Sequence, residues 1–325
     1  MKELEKLMDC RESIKVLDAT LRDGGLVNDF FFSDDFVKAL YKTNAAAGVD
    51  YMEIGYKASK ELFDVEKFGK WKFCFENDVT DIFADKLENG PKLAVMADVG
   101  RCDYKRDIVN RSESPIDMVR VATYVNTIPQ AVDMIEDAAR KGYETTCNIM
   151  AISTAQENDV KVALDMIGQT PVDCIYIVDS YGSIYPEQMT RISELYMSYA
   201  EKYGKKIGIH AHNNQQLAFA NSIEAIGCGV DYVDATYSGM GRGAGNTYME
   251  SVIGFLHNPK YNIHPIVQFV EKYIQPMKEQ GITWGYDMQY LFTGLLNRHP
   301  KPAIDYTKAR RTDITALYNE ITLMD

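Results

Sequence analysis

From about residue 14 to residue 257 the chain alternates between a short apolar run and a stretch with helical spacing, eight times over. No other feature limits the fold so strongly, because such a repeat pairs its apolar runs in parallel and covers them with helices. The apolar runs occupy residues 14–21, 49–56, 92–98, 115–122, 143–152, 172–180, the segment opening at Lys206, and 230–236. Start and stop signals lie between them. Ser33-Asp34-Asp35 caps a helix that Gly48 ends after Ala47, Pro129 opens one that Gly142 ends, and Pro186 opens one reaching about Tyr203. Helical spacing also covers about 156–168 and 215–226, while residues 57–90 read as helical in pieces. Eight units over about 250 residues match an α/β chain closed as a (β/α)₈ barrel. An open doubly wound sheet is the alternative, and eight regular units favour closure.

Residues 1–257 are therefore expected to form the catalytic barrel. Residues 258–325 carry no convincing strand and read as a C-terminal helical extension, over the barrel mouth or at a subunit contact. A net charge of -12 argues against nucleic-acid binding, which needs a basic face. No run approaches the ~18 apolar residues of a membrane span. The charged segment 1–8 lacks the apolar centre of a signal peptide. Six cysteines (Cys10, Cys74, Cys102, Cys147, Cys174, Cys228) with no CxxC spacing suit reduced, mostly buried thiols in a cytoplasmic protein.

A barrel places its chemistry at the C-terminal ends of its strands. The seventh run ends in His210-Ala211-His212, and alternation along a strand turns both imidazoles to one side. Arg22 and Asp23 end the first run, followed by Gly24-Gly25, which permit φ > 0 and close backbone approach. Strands one, seven and eight are neighbours in a closed barrel, so Asp23, His210 and His212 can surround one divalent cation and leave positions open for substrate oxygens. Each piece has a simpler reading: a plain Arg22–Asp23 ion pair, two hydrogen-bonded histidines, or structural acceptors at Asp179 and Glu53, the last favoured for Glu53. The loop 239–245 reads either as a connection or as an anion-holding turn before a helix. Phe30-Phe31-Phe32 reads as core packing, with a lid over substrate as the alternative.

Three motifs in this order carry a resemblance: Thr20-Leu21-Arg22-Asp23-Gly24, His210-Ala211-His212-Asn213, and Gly239-Met240-Gly241-Arg242-Gly243-Ala244-Gly245-Asn246. Together they resemble the metal-dependent pyruvate aldolase, acyl-CoA lyase and Claisen synthase superfamily of TIM barrels, and within it the 4-hydroxy-2-oxovalerate aldolases. Val178-Asp179-Ser180, residues 119–123 and residues 285–290 suit that group, so the resemblance spans essentially the whole chain. It implies a retro-aldol lyase acting on a 2-oxo acid through a metal-bound pyruvate enolate. Asp23, His210 and His212 are then the metal ligands, with Asn246 as ligand or neighbour of the cation. Mn²⁺ or Mg²⁺ is favoured, and Zn²⁺ or Co²⁺ is the alternative. Arg22 offsets charge on the enolate oxygen, Ser180 holds the substrate carboxylate, and Tyr290 reaches over the mouth. An acylating aldehyde dehydrogenase that takes up the aldehyde is the family's associated partner, and a homo-oligomer is expected.

One position departs from the pattern. Three residues after the motif's aspartate the aldolases carry a histidine that serves as base; here it is Leu26. Asn28 is too weak a base, leaving Asp29 or a metal-bound hydroxide. The other readings are a Claisen-type acyl-CoA synthase or lyase, a non-haem Fe(II) oxygenase, and a non-catalytic binding or assembly subunit.

Overall fold

The structure, a computed structural model, describes residues 13–324. Cys10 and the charged segment read as lacking a signal peptide lie outside the described residues. Among the described residues no helix is long and apolar enough to cross a membrane.

Eight strands pair in chain order and close on themselves. They are β1 (Lys15–Asp18), β2 (Tyr51–Tyr56), β3 (Lys92–Asp98), β4 (Met118–Thr123), β5 (Glu144–Ile149), β6 (Cys174–Asp179), β7 (Lys206–Ala211) and β8 (Tyr232–Ala235). Closure joins β8 to β1 in parallel, with Lys15 opposite Tyr232 and Asp18 opposite Ala235. The chain is a TIM barrel followed by helices, and the open-sheet alternative falls.

Alternation along each strand sorts its residues into two cores. Outward residues such as Val16, Met52, Ile54, Val95, Val121, Ile177 and Ile209 join the helices in one large apolar cluster. Inward residues fill the barrel from below. Leu17, Tyr51, Ala94 and Met118 make a floor, beside Cys174, Tyr176 and Val178. Above the floor lies a charged layer of Glu53, Arg120 and Asp234, all buried. Arg120 donates to Glu53 Oε2 at 2.8 Å and to Asp234 Oδ2 at 2.6 Å. Its guanidinium lies 4.4 Å from the centre of the Tyr176 ring. Gly208 makes room for that ring, since a Cβ there would stand 2.5 Å from it.

The surrounding helices follow the sequence signals closely. In α1 (Asp34–Ala47) the Ser33 hydroxyl accepts the Phe36 N–H at 3.2 Å, and Gly48 ends the helix at φ 76°. Next come α2 (Glu76–Phe83), α3 (Ile128–Arg140), α4 (Glu157–Gly168), α5 (Pro186–Tyr203), α6 (Ala218–Gly227) and α7 (Met249–Leu256). Two expectations need correction. The link from β3 to β4 holds only two short turns, Tyr104–Asp107 and the 3-10 turn Arg111–Glu113, because its few apolar residues make no stripe several turns long. The first strand stops at Asp18, so Arg22 and Asp23 ride on a helical turn, Thr20–Gly24, and do not end a strand.

The extension begins against the barrel wall. In α8 (Ile263–Phe269), the Phe269 ring lies 5.1 Å from Phe36 and 5.4 Å from Tyr237. The chain then crosses the loops at the C-terminal face. Trp284 Nε1 donates to Ser238 O at 2.9 Å, Gly285 N to Gly243 O at 3.0 Å, and Asn297 Nδ2 to Ser153 O at 2.9 Å. The helices α9 (Met288–Leu295), α10 (Lys301–Lys308) and α11 (Ile314–Thr322) complete it.

Replacing Arg120 would leave two buried carboxylates without their shared cation. Arg120→Met is expected to cost about 3–5 kcal/mol in urea unfolding, and a loss below about 1 kcal/mol would contradict this role.

Candidate active site

The turn Thr20–Gly24 is held from behind by groups facing away from the barrel axis. Asp18 accepts the Thr20 N–H at 2.9 Å, the Thr20 hydroxyl, and Asn44 Nδ2 at 2.7 Å. Tyr237 clamps the same group, its N–H donating to Thr20 Oγ1 at 2.9 Å and its hydroxyl to Asn44 Oδ1 at 3.0 Å. Gly24 and Gly25 have helical backbones with negative φ, so only half of the reason inferred from sequence applies. Space is what they supply: a Cβ on Gly24 would meet Met240 at 2.9 Å, and one on Gly25 would meet the Phe30 ring at 2.2 Å. Phe30 is buried beneath the turn while Phe31 is exposed.

The turn carries Arg22 and Asp23 over the top of the charged layer. Arg22 donates through Nε to Glu53 Oε2 and through Nη1 to Asp23 Oδ1, both at 2.7 Å. Glu53 thus bridges Arg22 and Arg120, the structural acceptor its sequence position suggested. Burial opposes ionisation of Asp23, but Arg22 beside it, then the two histidines and Arg242, outweigh burial and hold the carboxyl below its usual range.

His210 and His212 turn to the same side of β7, their rings 5.1 Å apart at 80°. Asp234 Oδ2 lies 3.0 Å from His210 Nδ1, which orients the ring and leaves Nε2 buried with no partner. Burial pushes His212 down to about 3, against the attraction of Asp23, so its ring is neutral. One ligand atom each from Asp23, His210 and His212 fall within 4.8 Å of one another.

The loop after β8 closes the group. Asn246 bridges to His212 through a backbone pairing, and its amide donates to Asp23 Oδ2 and to Met240 O. Its Oδ1 is buried and unpartnered. Gly241 passes so close that a Cβ would stand 2.1 Å from Asn246 Nδ2 and 2.7 Å from Asp23 Oδ2. Two orphaned buried acceptors, a neutral imidazole and a carboxylate kept ionised make a donor set that fits a divalent cation.

A cavity of about 80 Å³ opens beside this group, and Arg22, Asp23, Leu26, Tyr56, Ser180 and His212 are among its lining residues. Ser180 is placed there, its hydroxyl oxygen accepting the Ala151 N–H at 2.8 Å. Leu26, at the position of the missing base, lines the cavity. Tyr290 does not: its ring lies behind Gly243, 3.1 Å from where a Cβ would be, and its hydroxyl faces Thr307 at 3.4 Å. Asp179 faces the helix side, where it accepts the Ser183 and Ile184 N–H groups. Arg242, Asn148 and His299 also line the cavity and were not singled out from sequence. Signals were present for Asn148, a polar residue at an inward position of a strand, and for Arg242, the charged residue inside the quoted glycine-rich motif, but not for His299.

The HMGL-like family model matches residues 13–273. An oxaloacetate decarboxylase of Mycobacterium tuberculosis is 27% identical over 255 residues, covering 76% of this chain and 70% of its own. A 4-hydroxy-2-oxovalerate aldolase of Thermomicrobium roseum is 27% identical over 310 residues, covering 88% and 81%. Among solved structures, the N-terminal domain of an aldolase candidate from Bacteroides vulgatus superposes with a TM-score of 0.75 at 26% identity, covering 91% of this chain and 97% of that one. With the family model matched over most of its length, the chain belongs to the HMGL-like family.

Proposed function

We propose that the protein is a divalent-metal-dependent carbon–carbon lyase acting on a 2-oxo acid by way of an enolate. The observation that carries this reading is the convergence of Asp23, His210 and His212 beside Arg22 at the mouth of the barrel. A divalent cation held by these three residues, with Asn246 adjoining, would supply Lewis-acid polarisation of the substrate's keto group. Mn²⁺ or Mg²⁺ suits oxygen-rich substrates best.

The chain's own groups do the rest. Arg22, fixed by Glu53 and Asp23, presents a guanidinium that needs no reorientation as negative charge grows on the keto oxygen. Ser180 has spent a lone pair on Ala151 and keeps its O–H to donate to the substrate carboxylate. Burial pushes the Tyr56 hydroxyl up, so this cavity group stays protonated as a donor. Tyr290 supports the Gly243 turn from behind and so shapes the mouth through the loop.

Leu26 favours a second reading. Aldol cleavage needs a base for the substrate's hydroxyl proton, and a leucine cannot provide one. Decarboxylation of a 3-carboxy-2-oxo acid needs none: the C–C bond breaks, its electron pair moves toward the keto oxygen, CO₂ leaves, and C3 takes a proton afterwards. The relative named an oxaloacetate decarboxylase supports this variant.

Two outcomes are expected. Metal-loaded protein exchanges pyruvate methyl protons with D₂O, and Asp23→Ala loses the exchange by roughly a hundredfold or more; wild-type exchange no faster than that of the variant would end the proposal. Gly241→Ala, whose new methyl must displace Asn246 or Asp23, weakens Mn²⁺ binding roughly tenfold or more, as calorimetry would register, and unchanged affinity would remove Asn246 from the metal's surroundings.

A further inference from the structure

Among the cavity groups that could in principle donate or accept, three have an accepting atom already engaged. Asn148 Oδ1 takes the Thr146 hydroxyl at 2.7 Å, Ser180 Oγ takes the Ala151 N–H at 2.8 Å, and His299 Nδ1 takes the Lys301 N–H at 3.0 Å. All three line the cavity with Arg22 and Arg242, which can only donate. The polar lining away from the metal group is therefore rich in donors, and its natural complement is a ligand of anionic oxygens.

Two of these donors, Arg242 and His299, are not among the residues grouped around the possible metal position. Arg22 is matched by Glu53 and Asp23, whereas Arg242 has no carboxylate partner among the described residues. One Arg242 nitrogen donates to Ser180 O at 2.9 Å, and its Nε is buried with no partner. In the neighbouring extension, Lys301 pairs with Asp305 and Arg311 with Asp313 and Glu320. His299 arrives just ahead of α10. The N–H of Lys301 fixes its tautomer, leaving Nε2–H as donor, and Tyr181 meets its ring edge-on at 5.8 Å. Partial burial, then the charges of Arg242, Lys301 and Arg101, push His299 down to about 4, so the ring is a neutral donor at pH 7.

We propose that Arg242 and His299 form a distal subsite for a second carboxylate, so that the 2-oxo acid this protein takes is a diacid. The inference rests on the metal–enolate reading above and names its substrate class. Arg242 feels Asp23 only without a direct ion pair, and its buried Nε is free to take a second carboxylate that a mono-acid would not supply. A donor pair stabilises the carboxylate it holds, so the reaction retains that group. The subsite therefore belongs with aldol-type cleavage, in which the departing aldehyde carries the carboxylate, and not with loss of that same group as CO₂.

The test compares binding of 2-oxoglutarate and 2-oxopentanoate to the full-length Mn²⁺-loaded protein by calorimetry. These acids share chain length and the 2-oxo carboxylate and differ at the far end. The wild type is expected to hold the diacid roughly tenfold or more tighter, the worth of a hydrogen bond to a charged group. Arg242→Leu and His299→Leu each cut that ratio by roughly fivefold or more, while His299→Gln, which keeps an N–H donor, retains most of it. A scaffolding role would weaken both acids together and leave the ratio alone. A wild-type ratio near one, or proportional losses in the variants, overturns the subsite. Pyruvate exchange in D₂O on the same samples separates the two levels. Exchange without diacid preference removes the subsite alone, and no exchange removes the metal–enolate reading beneath it.

Discussion

A buried relay of charges runs through the upper barrel, and the site depends on it. It passes from Asp23 to Arg22, through Glu53 to Arg120, and on through Asp234 to His210. From Arg22 onward each link joins a different strand or turn, so the relay fixes the spacing between the Thr20–Gly24 turn and β7 on which any shared cation depends. Burying so many charges is costly unless every one is paired, and here the signs alternate from Asp23 to Asp234, with His210 joined at the end by a hydrogen bond. The same contacts that satisfy the interior also aim the first imidazole and hold the guanidinium, so structure and proposed chemistry share atoms.

Much of this was legible in the sequence because it is periodic. The strand–helix repeat has a period that hydrophobicity reports directly, and the Ser33 cap and Gly48 stop appear where residue chemistry puts them. His210 and His212 converge because alternation along a strand is geometric. The relay was not legible as such. Arg120 and Asp234 lie in apolar runs and look like isolated charges, and their pairing spans 114 residues of chain. The turn at Thr20 was misread as strand because Thr and Leu suit a strand locally, while the restraint from Asn44 and Tyr237 is tertiary.

The glycines show a similar division. Sequence can say that Gly24, Gly25 and Gly241 are special, but positive φ and crowding give the same signature. At these three positions crowding is the reason, and only the structure tells which atoms crowd. His299 is the extreme case. It lies 276 residues after Asp23, on a segment with no strand or motif to announce it, and nothing local ties it to the barrel's mouth.

That placement has an evolutionary consequence. The barrel supplies the group that can hold a cation and fixes it through its interior charges, whereas the entrance is furnished partly by a segment outside the strand–helix repeat. A lineage can redraw that segment, in length or in composition, without disturbing the barrel's interior. Descendants of one ancestral barrel would then diverge first in what they admit and last in how they activate it.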